Sequence, residues 1–386
     1  MVTLDAIRAR HRLPDDTTIA QDLERGFSLP TSLYVDPDVL ELEHEKIFDR
    51  CWQYACHEDA LSKPGDHAVT QAGRTPIIVV RGNDGGLRAF VNACRHRLHP
   101  LATENGHRRL LQCPYHGWSY ELDGQLKSAP RSQREASFDC SAISLQPVSV
   151  AAWDQWIFVN PDPHAEPLAE LTAPIRHLTD ELNADLVKYR FSVRYEYSMD
   201  CNWKVWAENA LECYHCPTLH RASFGRAYRA GPDQYHLENS RDTVWHSAPI
   251  KWVPTGVDPE TLKGFRFAFL YPGSFYAVDD YVGFVGSVCP TGPETCAAFV
   301  DMYTNPEGDQ QVVEQWLTMW DQTLVEDKLA TDLQQIGYRS GRIPYARLLP
   351  DSESPLQAFL RRTWTGLTDA GGPRRMTDRA RPDTGR

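Results

Sequence analysis

Cys94-Arg-His96 and Cys113-Pro-Tyr-His116, with sixteen residues between them, constrain this chain more than any other feature. Each segment offers one thiolate and one imidazole. Each also carries loop formers: Pro100 follows the first, and Pro114 and Gly117 frame the second. Two turns facing each other, each giving one sulfur and one nitrogen, suit a [2Fe–2S] cluster with cysteines on one iron and histidines on the other. Neutral imidazoles in place of two thiolates raise the potential of such a centre to roughly −150 to +300 mV, so it takes up electrons readily and passes them on. Zinc also accepts two Cys and two His. Its common structural spacings pair like with like, however, and both pairs here are mixed. His99 reads as polar loop surface.

The pattern around these motifs is β-rich. Between Trp52 and about Asn160, short strand signals alternate with turns. Residues 76–81 and 87–92 flank the hairpin turn Asn83-Asp-Gly-Gly86. Residues 118–122 and 125–126 flank Asp123-Gly124, and 156–160 close the unit. Before it, residues up to about 46 read as helical, with breaks at Leu29-Pro30 and Asp36-Pro37. Beyond Pro163 the pattern shifts. Residues 168–186 look helical and 189–197 alternate like a strand. Residues 202–216 look helical, ended by Pro217. Residues 265–288 and 295–303 suggest an antiparallel sheet, and 310–336 a long amphipathic helix. The expectation is an α+β chain: a helical segment 1–46, a β-rich cluster domain 47–160, a second domain 161–367 and a disordered tail 368–386.

Composition narrows the function classes. A net charge of −12 argues against non-specific nucleic-acid binding, and no apolar run is long enough to span a bilayer. The N-terminus lacks a basic segment followed by an apolar stretch, so no secretory signal is expected. Ten cysteines without one point to a reducing compartment, the cytoplasm. Cys51, Cys56, Cys140, Cys201, Cys289 and Cys296 read as buried apolar residues. Cys213 and Cys216 have C-x-x-C spacing but are expected to pack a helix.

A second constellation lies in Asn202-Trp-Lys-Val-Trp-Ala-Glu208-Asn209-Ala-Leu-Glu212-Cys-Tyr-His215-Cys-Pro-Thr-Leu-His220. On a continuous helix Glu208, Glu212 and His215 share one face, while Trp203, Trp206, Ala210 and Tyr214 can face the packed side. His220 follows the break at Pro217. A lone helical histidine is usually a satisfied polar residue. Two histidines, two acids and an Asn within thirteen residues of a mostly apolar region are harder to dismiss. Two histidines and one carboxylate on one face describe a non-haem Fe(II) site for O2 chemistry. The missing carboxylate is assigned to Asp327, which shares a helical face with Trp316, Trp320 and Leu324. A buried acid is costly without a partner, and a metal offsets that cost. Glu326 competes for the role, with Asp321 and Asp332 behind it. A zinc site from Cys213, Cys216, His215 and His220 looks strained.

Together the two motifs resemble the catalytic α subunit of Rieske non-haem iron oxygenases, over nearly all of the chain up to about residue 367. The resemblance implies a β-rich Rieske domain holding the cluster on Cys94, His96, Cys113 and His116, and a helix-grip catalytic domain. It implies Fe(II) on His215 and His220, with Asp327 as the third ligand. Glu212, with Asn209 beside it, then takes the catalytic, bridging position between the two metal sites. It also implies a homotrimer in which one subunit's cluster faces its neighbour's iron, O2 as cosubstrate, and NAD(P)H electrons through a separate reductase or ferredoxin. Many members carry Asp where this chain has Glu212. The run Glu-Cys-Tyr-His-Cys, with Leu29-Pro, Trp52-Gln, Pro64-Gly-Asp and Asn92-Ala-Cys-Arg-His, resembles the branch acting on glycine betaine, choline and carnitine. The expected reaction is hydroxylation of a C–H bond, N-demethylation first. Hydroxylation of an aromatic ring or a specialised metabolite is the alternative enzyme. A Rieske electron carrier without catalysis is the alternative of another class, disfavoured by two hundred extra residues and the second motif.

Overall fold

The computed structural model describes residues 2–231, 234–253 and 257–369, so most of the expected tail lies outside the described residues. The N-terminal half is built on an antiparallel seven-stranded sheet. Its spatial order is Gln53–His57, Trp156–Asn160, Pro147–Trp153, Leu87–Val91, Thr75–Arg81, Asp66–Ala72 and Gly106–His107. Ile77, Ile78, Val79 and Val80 are all buried, because this strand packs on both faces. A small sheet of Leu111–Gln112, Ser119–Tyr120 and Leu126–Ser128 stands beside it.

The C-terminal half is a second antiparallel seven-stranded sheet. Its order is Arg190–Met199, Thr295–Thr304, Val282–Gly292, Ser274–Val278, Phe265–Leu270, Thr243–Ala248 and His236–Asn239. Alternation divides its side chains. Val244, Phe265, Phe267 and Phe275 face one core, shared with helices Trp203–Ala210 and Gln310–Arg339. Trp245, Ala268 and Leu270 face another, shared with Leu182 and Leu186 of helix Arg176–Leu186. The long helix starts at Asp309, whose side chain accepts from the Gln311 and Val312 amides. It turns Val313, Trp316, Trp320, Thr323 and Thr331 inward.

The N-terminal helices join the core of the second half. Ile7, Ile19 and Leu23 pack in one cluster with Phe359, Leu360 and Trp364 of helix Ser354–Thr368, an element the sequence reading missed. A buried ion pair ties the segment down: Lys204 Nζ lies 2.5 Å from Glu43 Oε1, with side chains 1% and 0% exposed. The Trp203 indole donates to the other Glu43 oxygen at 2.7 Å.

Candidate metal centres

The first motif sits on two adjoining loops. Cys94 and His96 follow strand Leu87–Val91. Cys113 and His116 occupy the hairpin loop between Leu111–Gln112 and Ser119–Tyr120. Backbone bonds close each loop: Leu98 N to Cys94 O at 2.9 Å, and Gly117 N to Cys113 O at 3.0 Å. Gly117 adopts φ +74°, which a glycine reaches without strain. Cys94 and Cys113 are buried, while His96 and His116 are exposed. The imidazoles stand side by side with ring centres 4.5 Å apart, and His96 stacks on Trp118 at 5.0 Å. The Tyr120 hydroxyl lies 3.3 Å from the Cys94 sulfur and accepts from the Arg95 amide at 2.9 Å. Desolvation, with His96, Arg97 and His99 nearby, lowers the His116 pKa, which favours the neutral form that can ligate.

The second motif departs from the expected helix. Asn202 caps helix Trp203–Ala210 by accepting from the Lys204 amide. The helix then stops six residues early. Glu212 ends it by competing for backbone donors: its Oε2 accepts from the Tyr214 amide and, at 3.2 Å, from the His215 amide. Pro217 opens the short helix Cys216–Leu219 rather than ending the first one, a position where its missing N–H costs nothing. Glu208, Glu212 and His215 therefore do not share a face. Glu208 points the other way, accepting from the buried Tyr34 hydroxyl at 2.6 Å. Tyr214 is exposed rather than packed.

This turn brings three groups together. His215 Nε2 and His220 Nε2 are 3.1 Å apart, and Asp327 Oδ1 lies 3.5 Å from the first and 2.9 Å from the second. Asp327 rather than Glu326 meets the two inner nitrogens. Glu326 instead takes the outer nitrogen of His220, Nδ1, at 2.8 Å. Glu212 Oε1 takes His215 Nδ1 at 2.5 Å, so the longer acid is folded back onto its own loop. Asn209 Nδ2 donates to Asp327 Oδ1 at 2.8 Å. Burial works against charge on His215, but its hydrogen bonds to Asp327 and Glu212 outweigh that and raise its pKa to about 10. Burial alone would raise the Asp327 pKa; the two imidazoles hold it well below the carboxylate range. Sequence reasoning missed Ser223 and Gln322, which donate to Glu326 at 2.6 and 2.7 Å. The spacing Gln322-x3-Glu326 on one helical face was the available signal.

Cys216 lies close enough to His215 and His220 to complete a three-donor group. Its sulfur is committed to a disulfide with Cys213, however, so the pair is neither free helix packing nor a zinc site. Cys140 and Cys289 are half-buried rather than buried.

Residues 51–162 match the Rieske [2Fe-2S] domain family, and residues 186–365 match the catalytic domain of the ring hydroxylating alpha subunit. The chain belongs to the Rieske oxygenase α subunits. It is 29% identical over 333 residues to choline monooxygenase, chloroplastic, from Beta vulgaris, covering 83% of this chain and 73% of that protein. It is 28% identical over 362 residues to the carnitine monooxygenase oxygenase subunit of Acinetobacter pittii, covering 87% and 92%. Among solved structures, the quaternary ammonium Rieske monooxygenase CntA in complex with L-carnitine superposes with a TM-score of 0.77 at 25% identity, covering 90% of this chain and 97% of that one.

A Rieske oxygenase α subunit uses a Rieske cluster and a mononuclear iron, and the donor sets here fit both. Donors at right angles on bonds of about 2.1 Å sit about 3.0 Å apart; the three inner atoms span 2.9–3.5 Å. A carboxylate on each outer imidazole nitrogen is the usual support of metal-ligating histidines. None of the described helices is long and apolar enough to cross a membrane.

Proposed function

We propose that this oxygenase removes an N-methyl group from a quaternary ammonium substrate of the betaine type. One observation carries the assignment. Cys216, between the two histidines in sequence, and Leu324, on the helix of Asp327, pack into a core with an aromatic wall of Phe265, Phe267, Phe275, Phe284 and Trp320. Trp320 and Asp327 lie on one face of the long helix, about 10 Å apart by helical rise. Aromatic faces hold a quaternary ammonium by contacts worth about 0.5–2 kcal/mol each. The relatives named for choline and carnitine support the same substrate class.

In this reading Cys94, His96, Cys113 and His116 hold the cluster, and His215, His220 and Asp327 hold Fe(II). When bound, these centres supply reductive activation of O2, with electrons from a separate NAD(P)H-dependent reductase or ferredoxin. The chain's own residues fix the ligands: Glu212 and Glu326 orient the imidazoles, and Asn209 orients Asp327. The aromatic wall excludes water. Overall, one O2, two electrons and two protons convert N–CH3 into N–CH2OH and water. The C–N bond then breaks to give formaldehyde, the demethylated amine and a proton.

Electrons pass between subunits of a homotrimer, from exposed His96 or His116 to Glu212 of a second copy. Among the described residues no hydrogen bond, ion pair or ring contact joins 94–118 to 208–220. Leu98, 73% exposed at φ +59°, and exposed Tyr115 offer apolar surface beside the cluster motif. Tyr214 does so beside Glu212, and Val325, Leu329, Leu333 and Ile336 form an exposed stripe on the long helix.

The test is a single turnover. The iron-loaded protein is reduced chemically, freed of reductant and mixed with O2 and one of a set of N-methylated amines. About one equivalent of formaldehyde per mononuclear site is expected with a betaine-type amine. No formaldehyde from any amine, while an aromatic compound is hydroxylated, overturns the reading.

A further inference from the structure

On strands Thr243–Ala248 and Phe265–Leu270, the wall facing the larger core is apolar or aromatic at Val244, Ala248, Phe265, Phe267 and Phe269. His246 breaks the pattern. It alternates with Val244 and Ala248 and pairs across the strands with Phe267, on which its ring stacks at 4.2 Å. It is 4% exposed, and among the described residues neither ring nitrogen has a hydrogen-bond partner. The Ala210 carbonyl lies near the ring but makes no hydrogen bond of normal geometry with it. Tyr235 lies beside it, ring centres 5.1 Å apart, and its hydroxyl is likewise buried and unpartnered. Both residues lie within electrostatic reach of the metal-centre turn: His246 senses the His215 imidazole and Tyr235 the Glu212 carboxylate.

A buried polar group left without a partner costs about 1–3 kcal/mol, and folded proteins rarely leave one so. Here two stand together where Leu and Phe would cost nothing. Burial pushes the His246 pKa down to about 3, so its ring is neutral and carries one N–H donor. The Tyr235 hydroxyl supplies a second donor. Two uncharged donors side by side match the two oxygens of a carboxylate. The metal centre itself carries Glu212, Glu326 and Asp327 around the two histidines, which favours an ammonium over an acid group next to it. A zwitterion therefore has one favoured direction: N-methyl groups toward His215 and His220, acid group toward His246 and Tyr235.

We propose that His246 and Tyr235 form a carboxylate-recognising subsite, so that this chain selects zwitterionic N-methylated amino acids over N-methylated amines without an acid group. This rests on the N-demethylase reading and adds the substrate class to it.

The test measures binding apart from turnover. The full-length, iron-loaded protein is kept anaerobic and titrated calorimetrically with glycine betaine, choline and tetramethylammonium. The wild type should bind glycine betaine at least about ten-fold more tightly than tetramethylammonium. Tyr235→Phe, which removes one oxygen and keeps the ring, should cut that preference by about ten-fold, and His246→Leu should do the same. Equal affinity of the wild type for all three compounds overturns the subsite, as does a preference that survives both substitutions. Tighter binding of choline overturns the carboxylate assignment in favour of a hydroxyl. Tight, Tyr235-dependent betaine binding with no formaldehyde on adding O2 upholds the subsite and overturns the demethylase reading instead.

Discussion

Replacing Glu326 with alanine should weaken iron binding without touching any residue that ligates iron. His220 is almost fully buried, and its two nitrogens face two acids: Asp327 at 2.9 Å on Nε2 and Glu326 at 2.8 Å on Nδ1. Burial opposes ionisation of Glu326, but hydrogen bonds from Ser223, His220 and Gln322 outweigh it and keep the carboxyl below its usual range. An ionised acid on Nδ1 fixes the tautomer that leaves Nε2 free to ligate, and it raises the basicity of the ring. Loss of such a support typically costs 10–100-fold in metal affinity, which is about 1.4–2.7 kcal/mol. Glu326→Gln keeps an acceptor oxygen for His220 and loses only the charge, so its loss should be a few-fold. The assay is competition for Fe(II) against a chelator, with cluster absorbance as the internal control for folding. The order wild type, Gln, Ala should run from tightest to weakest. An alanine variant that holds Fe(II) within two-fold of wild type, or a glutamine variant weaker than alanine, refutes the argument.

Glu212→Gln should keep iron when iron is in excess but slow substrate-dependent reoxidation of the reduced cluster by about a hundred-fold, or ~2.7 kcal/mol of barrier; unchanged stopped-flow traces would count against a bridging role. Iron affinity should rise with pH between 6 and 8, by up to about ten-fold per unit for each proton displaced, because iron must displace the proton that Asp327 and Glu212 hold on His215, whose pKa they raise to about 10. Calorimetry in two buffers of different ionisation heat measures that proton release directly. Lys204→Met leaves the Glu43 carboxyl in the core without its cation, held by the Trp203 indole only, and should cost about 3–5 kcal/mol, read as a melting temperature lower by about 10 °C; the double variant with Glu43→Gln should recover much of it. Burial pushes the Glu208 pKa up to about 7, against about 4.3 in an unfolded chain. The folded state then holds that proton more tightly, so stability falls as pH rises from about 4.3 to 7 and is level above. The melting-temperature advantage of Glu208→Gln over wild type should accordingly grow between pH 5 and pH 8, and a constant gap would sink the assignment.

Much of this was legible because it rests on spacing and alternation. The cluster motif dictated two facing loops, and the β-branched run Ile77-Ile-Val-Val80 marks a strand so clearly that Thr75–Arg81 differs from the reading by one residue. The long helix is read as 310–336 and runs Gln310–Arg339, and its inward face runs through Trp316 and Trp320 to Asp327, which meets His215 and His220. Strands His236–Asn239 and Thr243–Ala248 were missed because polar and charged residues interrupt them, and His246 occupies an inward position that alternation reserves for an apolar side chain. Helical periodicity assumes that each amide bonds to the carbonyl four residues back, and it cannot register a side chain that takes the amide instead. Glu212 does so at Tyr214 and His215, which moves every later residue off the expected face.

That same interruption makes the metal centre possible. On an unbroken helix His215 would lie most of two turns from Glu208, and His220 would point well away from it. With the helix stopped at Ala210, the turn carries His215 back toward the start of Cys216–Leu219, and His220 follows at its end. Three carboxylates then gather around two imidazoles in a largely buried site: Glu212, Glu326 and Asp327. Such a group is stable only if positive charge balances it. Protons on the imidazoles supply part of that charge in the bare protein, which is why the His215 and His220 pKa values are both raised. A dication supplies it when metal binds, taking the place of those protons on the inner nitrogens. Glu212 and Glu326 stay on the outer nitrogens in both states, so exchanging protons for metal requires no rearrangement of the acids that hold the rings.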